Sequence, residues 1–469
     1  MKIKIKKVFE KKRVISAFML GMINVAMIVS LRGLPTLAKY GVDAILLCLF
    51  SAVFLFVPIA FVAAELATSW PEAGGIFMWV SKAFSEKWGL LAIFLQWIMS
   101  VVWYPLALTV TVAMLAYSFD PNLAENRYYA FVMIQLIYWG ATFLNFRGLK
   151  TSSLFSNLAV SIGTLFPALI LIAAGFFWFF MGGKVQIPFS FAQAPIDFGD
   201  FTSFILLTSS LLMYAGMEVS AVHVKEVEHP HKSYPKAIFL AVIVILLVSI
   251  LGTLSIAIAV PETDISLVTG VLQAFKVFFQ GTKLTFLVPL FAFLIALGSM
   301  GQVSTWIIGP SKAVLASAQK GNLPAFFAKV NKNNIPTNIL LLQGVLVTMF
   351  SFLFLFMPSV SSSFWMLTVL TAQLYFTMYI LMFLSALKLR FSKTKIDRTY
   401  QVPGGKPGLW ILTVVGILSC LTGIFLGFFP PKQVATISPL GHALFLLVSL
   451  GVFYSIPFII YYFEKRKKA

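Results

Sequence analysis

Arg32, Glu65, Glu218 and Lys312 lie inside or at the ends of long apolar runs, in a chain whose 469 residues include 35 Lys and Arg and only 16 Asp and Glu. Charged groups in such runs are costly and usually face a cavity or a partner. The Arg32 guanidinium has three open readings: it takes a ligand carboxylate, bidentately where geometry allows, it forms a gating ion pair with an acid, or it snorkels to a membrane surface. Glu218 follows Tyr214-Ala215-Gly216-Met217. A carboxyl there could trade a proton as its surroundings change, or rest hydrogen-bonded to freed backbone. Glu65 is expected in a gate or a buried hydrogen-bond network, and Lys312 is a candidate to pair with it or with another acid. Gln302 donates and accepts without titrating, which suits a ligand contact or an interhelical hydrogen bond. Tyr375 and Tyr379 are four residues apart and share one helical face.

Other chemistry is excluded or weak. His223, His229 and His231 are spaced like metal ligands, but they stand among Lys225, Glu226, Glu228 and Lys232, as on a solvated loop. His223 is at most a weak candidate for sensing pH. Cys48 and Cys420 lie in apolar runs and read as small buried hydrophobes. There is no HExxH, no GxSxG, no nucleotide-binding loop and no Asp pair, so neither an enzyme nor a cofactor or metal is expected. A channel's charged ring or repeated filter sequence is also missing.

The elements that position these residues follow from composition. Hydrophobic residues make up 59% of the chain, charged residues 11%, and mean hydropathy is +0.93. Soluble proteins are about 45–50% apolar and about 25% charged, so this is a polytopic membrane protein. The apolar runs are continuous rather than alternating, which excludes a β-barrel. Twelve helical spans are expected at about 14–39, 43–67, 88–117, 128–146, 151–181, 201–222, 235–260, 284–318, 337–357, 362–389, 409–429 and 440–463. The basic start, residues 1–13, resembles the head of a signal peptide, yet no small-residue cleavage site follows, so the first apolar run is read as a retained span. With both tails on the cytoplasmic side, about 28 of the 35 Lys and Arg fall in inner loops and tails, including Lys465, Arg466, Lys467 and Lys468. The net charge of +19 is therefore a membrane-orientation signal and not a nucleic-acid footprint.

Two spans look broken. The first contains Ser30-Leu31-Arg32-Gly33-Leu34-Pro35 and the sixth Tyr214-Ala215-Gly216-Met217-Glu218. They open two five-span halves of opposite orientation, and paired interruptions of this kind point to a transporter's binding site. Unwound backbone at membrane depth is tolerated where it lines a cavity. Its free amides suit a carboxylate and its carbonyls an ammonium, the two groups of an amino acid.

At these residues the chain resembles the amino acid–polyamine–organocation superfamily, and within it the bacterial glutamate/GABA antiporter family, from about residue 14 to 463. The resemblance rests on Ala64-Glu65-Leu66-Ala67 with Pro71-Glu72-Ala73-Gly74-Gly75 and Trp79-Val80-Ser81. It rests also on Tyr214 through Glu226 with Tyr234-Pro235, on Trp306-Ile307-Ile308-Gly309-Pro310-Ser311-Lys312, continuing to Leu323-Pro324 and Val330-Asn331-Lys332, and on Val402-Pro403-Gly404-Gly405. It implies an all-α polytopic LeuT-type fold, with two inverted five-helix repeats plus two extra helices. The corresponding segments are a basic cytoplasmic tail 1–13, repeats 14–182 and 183–390, spans 11 and 12 in 391–463, and a short basic tail 464–469. It implies alternating-access amino acid transport, by exchange in the family's manner, in a bacterial cytoplasmic membrane, as a monomer or homodimer. Proton-coupled uptake of a neutral or other amino acid is the alternative.

By the same resemblance Arg32, Gly33, Gly216, Glu218, Gln302, Trp306, Tyr375 and Tyr379 would bind substrate, and Glu218, Glu65 and Lys312 would gate or couple protons. Gly74 and Gly75 would shape the inner loop. The chain departs from the acid-resistance antiporter in carrying Arg32 and Gly33 in place of a tyrosine and an acid, Gln302 in place of a glutamate, and Asn157 where proton-coupled relatives have a lysine. With six residues after Phe463, that relative's long C-terminal plug is not expected. These departures leave substrate and pH dependence open.

Overall fold

The computed structural model describes residues 15–70, 74–147, 158–187, 201–219, 227–392, 398–431 and 438–467. No β-strand occurs among them. A single bridge pairs Ile15 with Val227. Among the described residues, ten helices are long and apolar enough to cross a membrane. They coincide with the expected spans 2–5 and 7–12, with ends shifted by a few residues.

The two spans expected to be broken are the two absent from those ten. The first is α1 (Ala17–Ile28) and the five-residue α2 (Leu34–Ala38), joined by extended Val29 and Ser30 and a tight turn, Leu31–Gly33. Ser16 caps the start of α1, its side chain accepting from the Met19 amide. Pro35 does not make the break. It sits in the first turn of α2, where a missing N–H leaves no bond unmade. The long helix α3 (Gly41–Ser69) follows, then α4 (Ile76–Ala83), α5 (Glu86–Phe119), α6 (Arg127–Phe146) and α7 (Leu158–Phe180). In place of the second of the two spans stands α8 (Leu207–Met213), which gives way to irregular chain through Gly216. Then come α9 (Pro230–Ala259), α10 (Gly270–Phe279), α11 (Leu287–Gln319), α12 (Thr337–Phe356), α13 (Val360–Phe391), α14 (Gly405–Gly427) and α15 (Pro439–Arg466).

Helices α4 and α10 were not expected from the spans. α4 follows α3 and α10 follows α9, and both are short and one-sided. Burial ranks the long helices. α5 is enclosed over 89% of its most apolar window and α13 over 78%, whereas α15 is enclosed over 17%. α5 is thus the central post, packed on α11 and α13, while α1 runs along α9. The peripheral α15 turns Leu444, Leu447, Val448 and Ile459 outward, as a lipid-facing helix does.

Candidate functional site

A cavity opens where the two interruptions meet the central helices. Val29, Ser30, Arg32 and Gly33 line it from the first break, Met213 and Ala215 from the second. Trp103 of α5, Gln302 and Trp306 of α11, and Thr371 and Tyr375 of α13 belong to the same wall, which Ile245, Val248 and Ser249 of α9 also line. Of the substrate-binding residues expected from sequence, Arg32, Gly33, Gln302, Trp306 and Tyr375 reach the cavity.

Arg32 is the cation of this wall. Its guanidinium carbon lies 5.0 Å from the Trp103 ring centre, a cation–π distance. Trp103 in turn lies 5.8 Å from the Trp306 ring. Nη1 of Arg32 is buried and has no hydrogen-bond partner. No carboxylate pairs with it among the described residues. Thr371 Oγ1 is also buried without a partner. Gln302 has a structural duty as well: its Nε2 donates to the Val29 carbonyl at 2.7 Å, satisfying backbone that the first break frees.

Gly216, Glu218 and Tyr379 stand behind the wall. Three donors converge on the buried Glu218 carboxylate: Gln96 Nε2 at 3.1 Å and Tyr375 Oη at 2.5 Å on Oε1, and Tyr379 Oη at 2.6 Å on Oε2. Tyr379 Oη also accepts from the Gly216 amide at 2.8 Å. The shared face of Tyr375 and Tyr379 is thus used whole, with their rings stacked at 4.6 Å. Hydrogen bonds run without a gap from the cavity-lining Tyr375 through Glu218 and Tyr379 to the second break.

The two site glycines have different reasons. A Cβ at Gly33 would lie 2.4 Å from Met213 Sδ, because the breaks touch there. Gly216 has space around it, with nothing nearer than 3.7 Å to a built Cβ, but its φ of +122° is a glycine conformation. Gly216→Ala is therefore expected to destabilise by about 1–3 kcal/mol through backbone strain alone. A thermal melt within error of the wild type would refute this.

Glu65 lies outside the cavity. Its Oε1 takes Arg390 Nη1 at 2.9 Å and approaches Arg398 Nε at 3.5 Å, and its Oε2 accepts from the Val402 amide at 2.8 Å. The sequence left Glu65 between an inner gate and a buried hydrogen-bond network, and the partners described for it are Arg390, Arg398 and the Val402 amide. Lys312 lies on α11 beyond Pro310, also away from the cavity wall. His229 opens α9. His223 and Asn157 lie outside the described residues, and among those described no group of three His, Cys, Asp or Glu could hold a metal.

Sequence reasoning passed over Trp103, Gln96, Arg390 and Arg398. Gln96 carried a signal, being a polar side chain inside an apolar run. Trp103 carried none, since one tryptophan among ten in such runs has no mark of its neighbour.

The chain matches the amino acid permease family model over residues 14–453. It is 40% identical over 448 residues to an uncharacterised transporter of Legionella pneumophila, covering 96% of both chains. It is 31% identical over 459 residues to a glutamate/gamma-aminobutyrate antiporter of Lactococcus lactis, covering 97% of this chain and 91% of that one. A probable agmatine/putrescine antiporter of Lactococcus lactis is 25% identical over 356 residues, 75% of this chain and 74% of that one.

Proposed function

The chain belongs to the amino acid permease family, and from that premise we propose that it is a secondary active exchanger of amino acids that works by alternating access. The observation that carries the reading is Arg32: a guanidinium in the cavity between two interrupted spans, with a buried N–H and no acceptor. The substrate's carboxylate supplies that acceptor. Thr371 and the irregular backbone of the breaks are placed to meet its other polar groups.

The architecture we propose has twelve spans, the ten long helices plus the two interrupted ones. Residues 14–182 and 183–390 are inverted repeats, and α4 and α10 in equivalent places support that pairing. Residues 391–463 add two further spans. Lys and Arg asymmetry supports tails 1–13 and 464–469 inside a bacterial cytoplasmic membrane. The relay from Tyr375 through Glu218 to Gly216 is the proposed coupling element: occupancy of the cavity acts on Tyr375, and the relay passes this to the second break. The same buried carboxyl supports the second reading, proton-coupled uptake, with Glu218 as proton carrier. The Arg32 cation in the wall disfavours cationic substrates such as agmatine or putrescine, since like charges repel strongly where water is scarce.

Counterflow in proteoliposomes tests the proposal. Vesicles are preloaded with a panel of unlabelled amino acids, and labelled L-glutamate uptake is followed at acid and neutral pH. Saturable uptake that requires internal substrate is expected. Uptake that ignores the internal amino acid but follows an imposed proton gradient would replace exchange by symport. Uptake of another amino acid and never of glutamate would keep the transporter and remove the glutamate assignment.

A further inference from the structure

Helix α11 contains Pro310 well inside its length. Proline has no N–H, so the carbonyl four residues earlier loses its intrahelical donor. That carbonyl belongs to Trp306, whose indole lines the cavity. The missing donor is replaced from another helix: Tyr104 Oη of α5 donates to the Trp306 carbonyl at 2.9 Å. A parallel case lies away from the cavity. Ser419 Oγ donates at 2.9 Å to the Phe54 carbonyl, four residues before Pro58.

Tyr104 is itself fixed. It is fully buried, and its ring lies 5.2 Å from that of Tyr138. Tyr138 Oη accepts from Gln343 Nε2 at 2.8 Å. Gln343 Oε1 accepts from Trp97 Nε1 at 2.9 Å and from Ser311 Oγ at 3.0 Å. Helices α5, α6, α11 and α12 each contribute to this network. The Gln343 amide is used on both sides, and a buried network bonded in this way favours a single geometry. The residue next to Tyr104 is Trp103, which carries the Arg32 guanidinium and touches Trp306.

We propose that Tyr104 is a positioning residue for the substrate site: its hydroxyl caps the carbonyl that Pro310 frees and thereby sets the Trp306 and Trp103 wall on which Arg32 rests. The inference builds on the cavity being the substrate site. It assigns Pro310 and Tyr104 to one device, although 206 positions of sequence separate them.

A double-mutant cycle in proteoliposomes reads it out, using labelled L-glutamate or whichever panel amino acid the preloaded vesicles exchange. Tyr104→Phe removes only the hydroxyl and leaves a buried carbonyl unpaired. KM is expected to rise about 5- to 20-fold, with the maximal exchange rate changed less than about twofold. Pro310→Ala returns a backbone N–H to the Trp306 carbonyl. In that background, adding Tyr104→Phe is expected to move KM by less than about twofold. Ser419→Ala, the distant counterpart, is expected to lower the melting temperature without moving KM.

Wild-type KM in Tyr104→Phe, or an equal KM shift in both backgrounds, overturns the proposal. If Tyr104→Phe does not fold, recovery of folded, exchanging protein in Tyr104→Phe/Pro310→Ala supports it, and failure of both overturns it. Arg32→Gln separates this from the parent reading. A raised KM in Arg32→Gln beside an unmoved one in Tyr104→Phe sinks the positioning role alone. Wild-type KM in both sinks the site.

Discussion

Arg32→Gln is expected to raise the KM for an anionic or zwitterionic amino acid by about 100-fold while leaving the protein folded. The size follows from the bond lost. A guanidinium–carboxylate pair in a site away from water is a charge-assisted, often bidentate interaction, here set at about 3 kcal/mol, which is about two decades in affinity. Among the described residues, no second cation lines the cavity to substitute for it. The carboxylate behind the wall, Glu218, is already held by Gln96, Tyr375 and Tyr379 and has little to offer a ligand. Folding should be spared because Arg32 has no acidic partner among the described residues, so its removal strands no buried anion. Its loss forfeits the stack on Trp103, about 1 kcal/mol, and relieves a buried N–H without an acceptor. Arg32→Lys keeps the charge but not the planar fork, so its KM should fall between the two. An unchanged KM in Arg32→Gln, with normal expression, would make the guanidinium a structural group and remove the central support for the proposed function.

The sequence showed where the helices fail more clearly than what holds the failures in place. Gly33 and Gly216 marked both breaks, because glycine and its neighbours weaken a helix wherever they stand. Pro35 was a misleading part of the same signal. A proline reads as a breaker in sequence, but its effect depends on whether it lands inside a helix or in its first turn, and the register of α2 decides that. The Tyr375 and Tyr379 pair was legible from helical spacing alone. That both hydroxyls end on Glu218 was not, since 157 positions separate Tyr375 from Glu218. Gln302 shows the limit from another side. Its type predicted either a ligand contact or an interhelical bond; the structure shows the bond, its amide holding the Val29 carbonyl, and sets the residue in the cavity wall. Periodicity gives the face of a helix. It does not give the partner across the bundle, and at this site partners carry most of the meaning.

Glu65 poses that problem most sharply, and Glu65→Ala is expected to cost about 3 kcal/mol or more of stability. The carboxylate is 4% exposed. The side chains it neutralises, Arg390 and Arg398, are 7% and 13% exposed. Removing one member of a buried ion pair leaves the other charged and dry, which typically costs 3–5 kcal/mol. Here two guanidiniums and the Val402 amide lose their acceptor together. Part of the loss is cushioned, because Arg390 keeps Gln401 and Arg398 keeps the Leu389 carbonyl and the Trp70 face, so the lower end of that range is the better figure. Glu65→Gln should lose less, since an amide oxygen still accepts from Val402. Glu65→Ala/Arg390→Met should recover part of the loss by withdrawing one stranded charge. The geometry also separates a clamp from a gate. Glu65 joins the end of α3 to the end of α13 and to the chain entering α14, three elements that must move together if the cluster stays intact. A clamp lowers the melting temperature when broken and leaves KM and the exchange rate of the folded fraction alone. A gate that opens in every cycle would instead exchange faster once weakened. Three converging partners on one carboxylate favour the clamp, and a faster exchange rate in Glu65→Gln would assign the cluster to the gate.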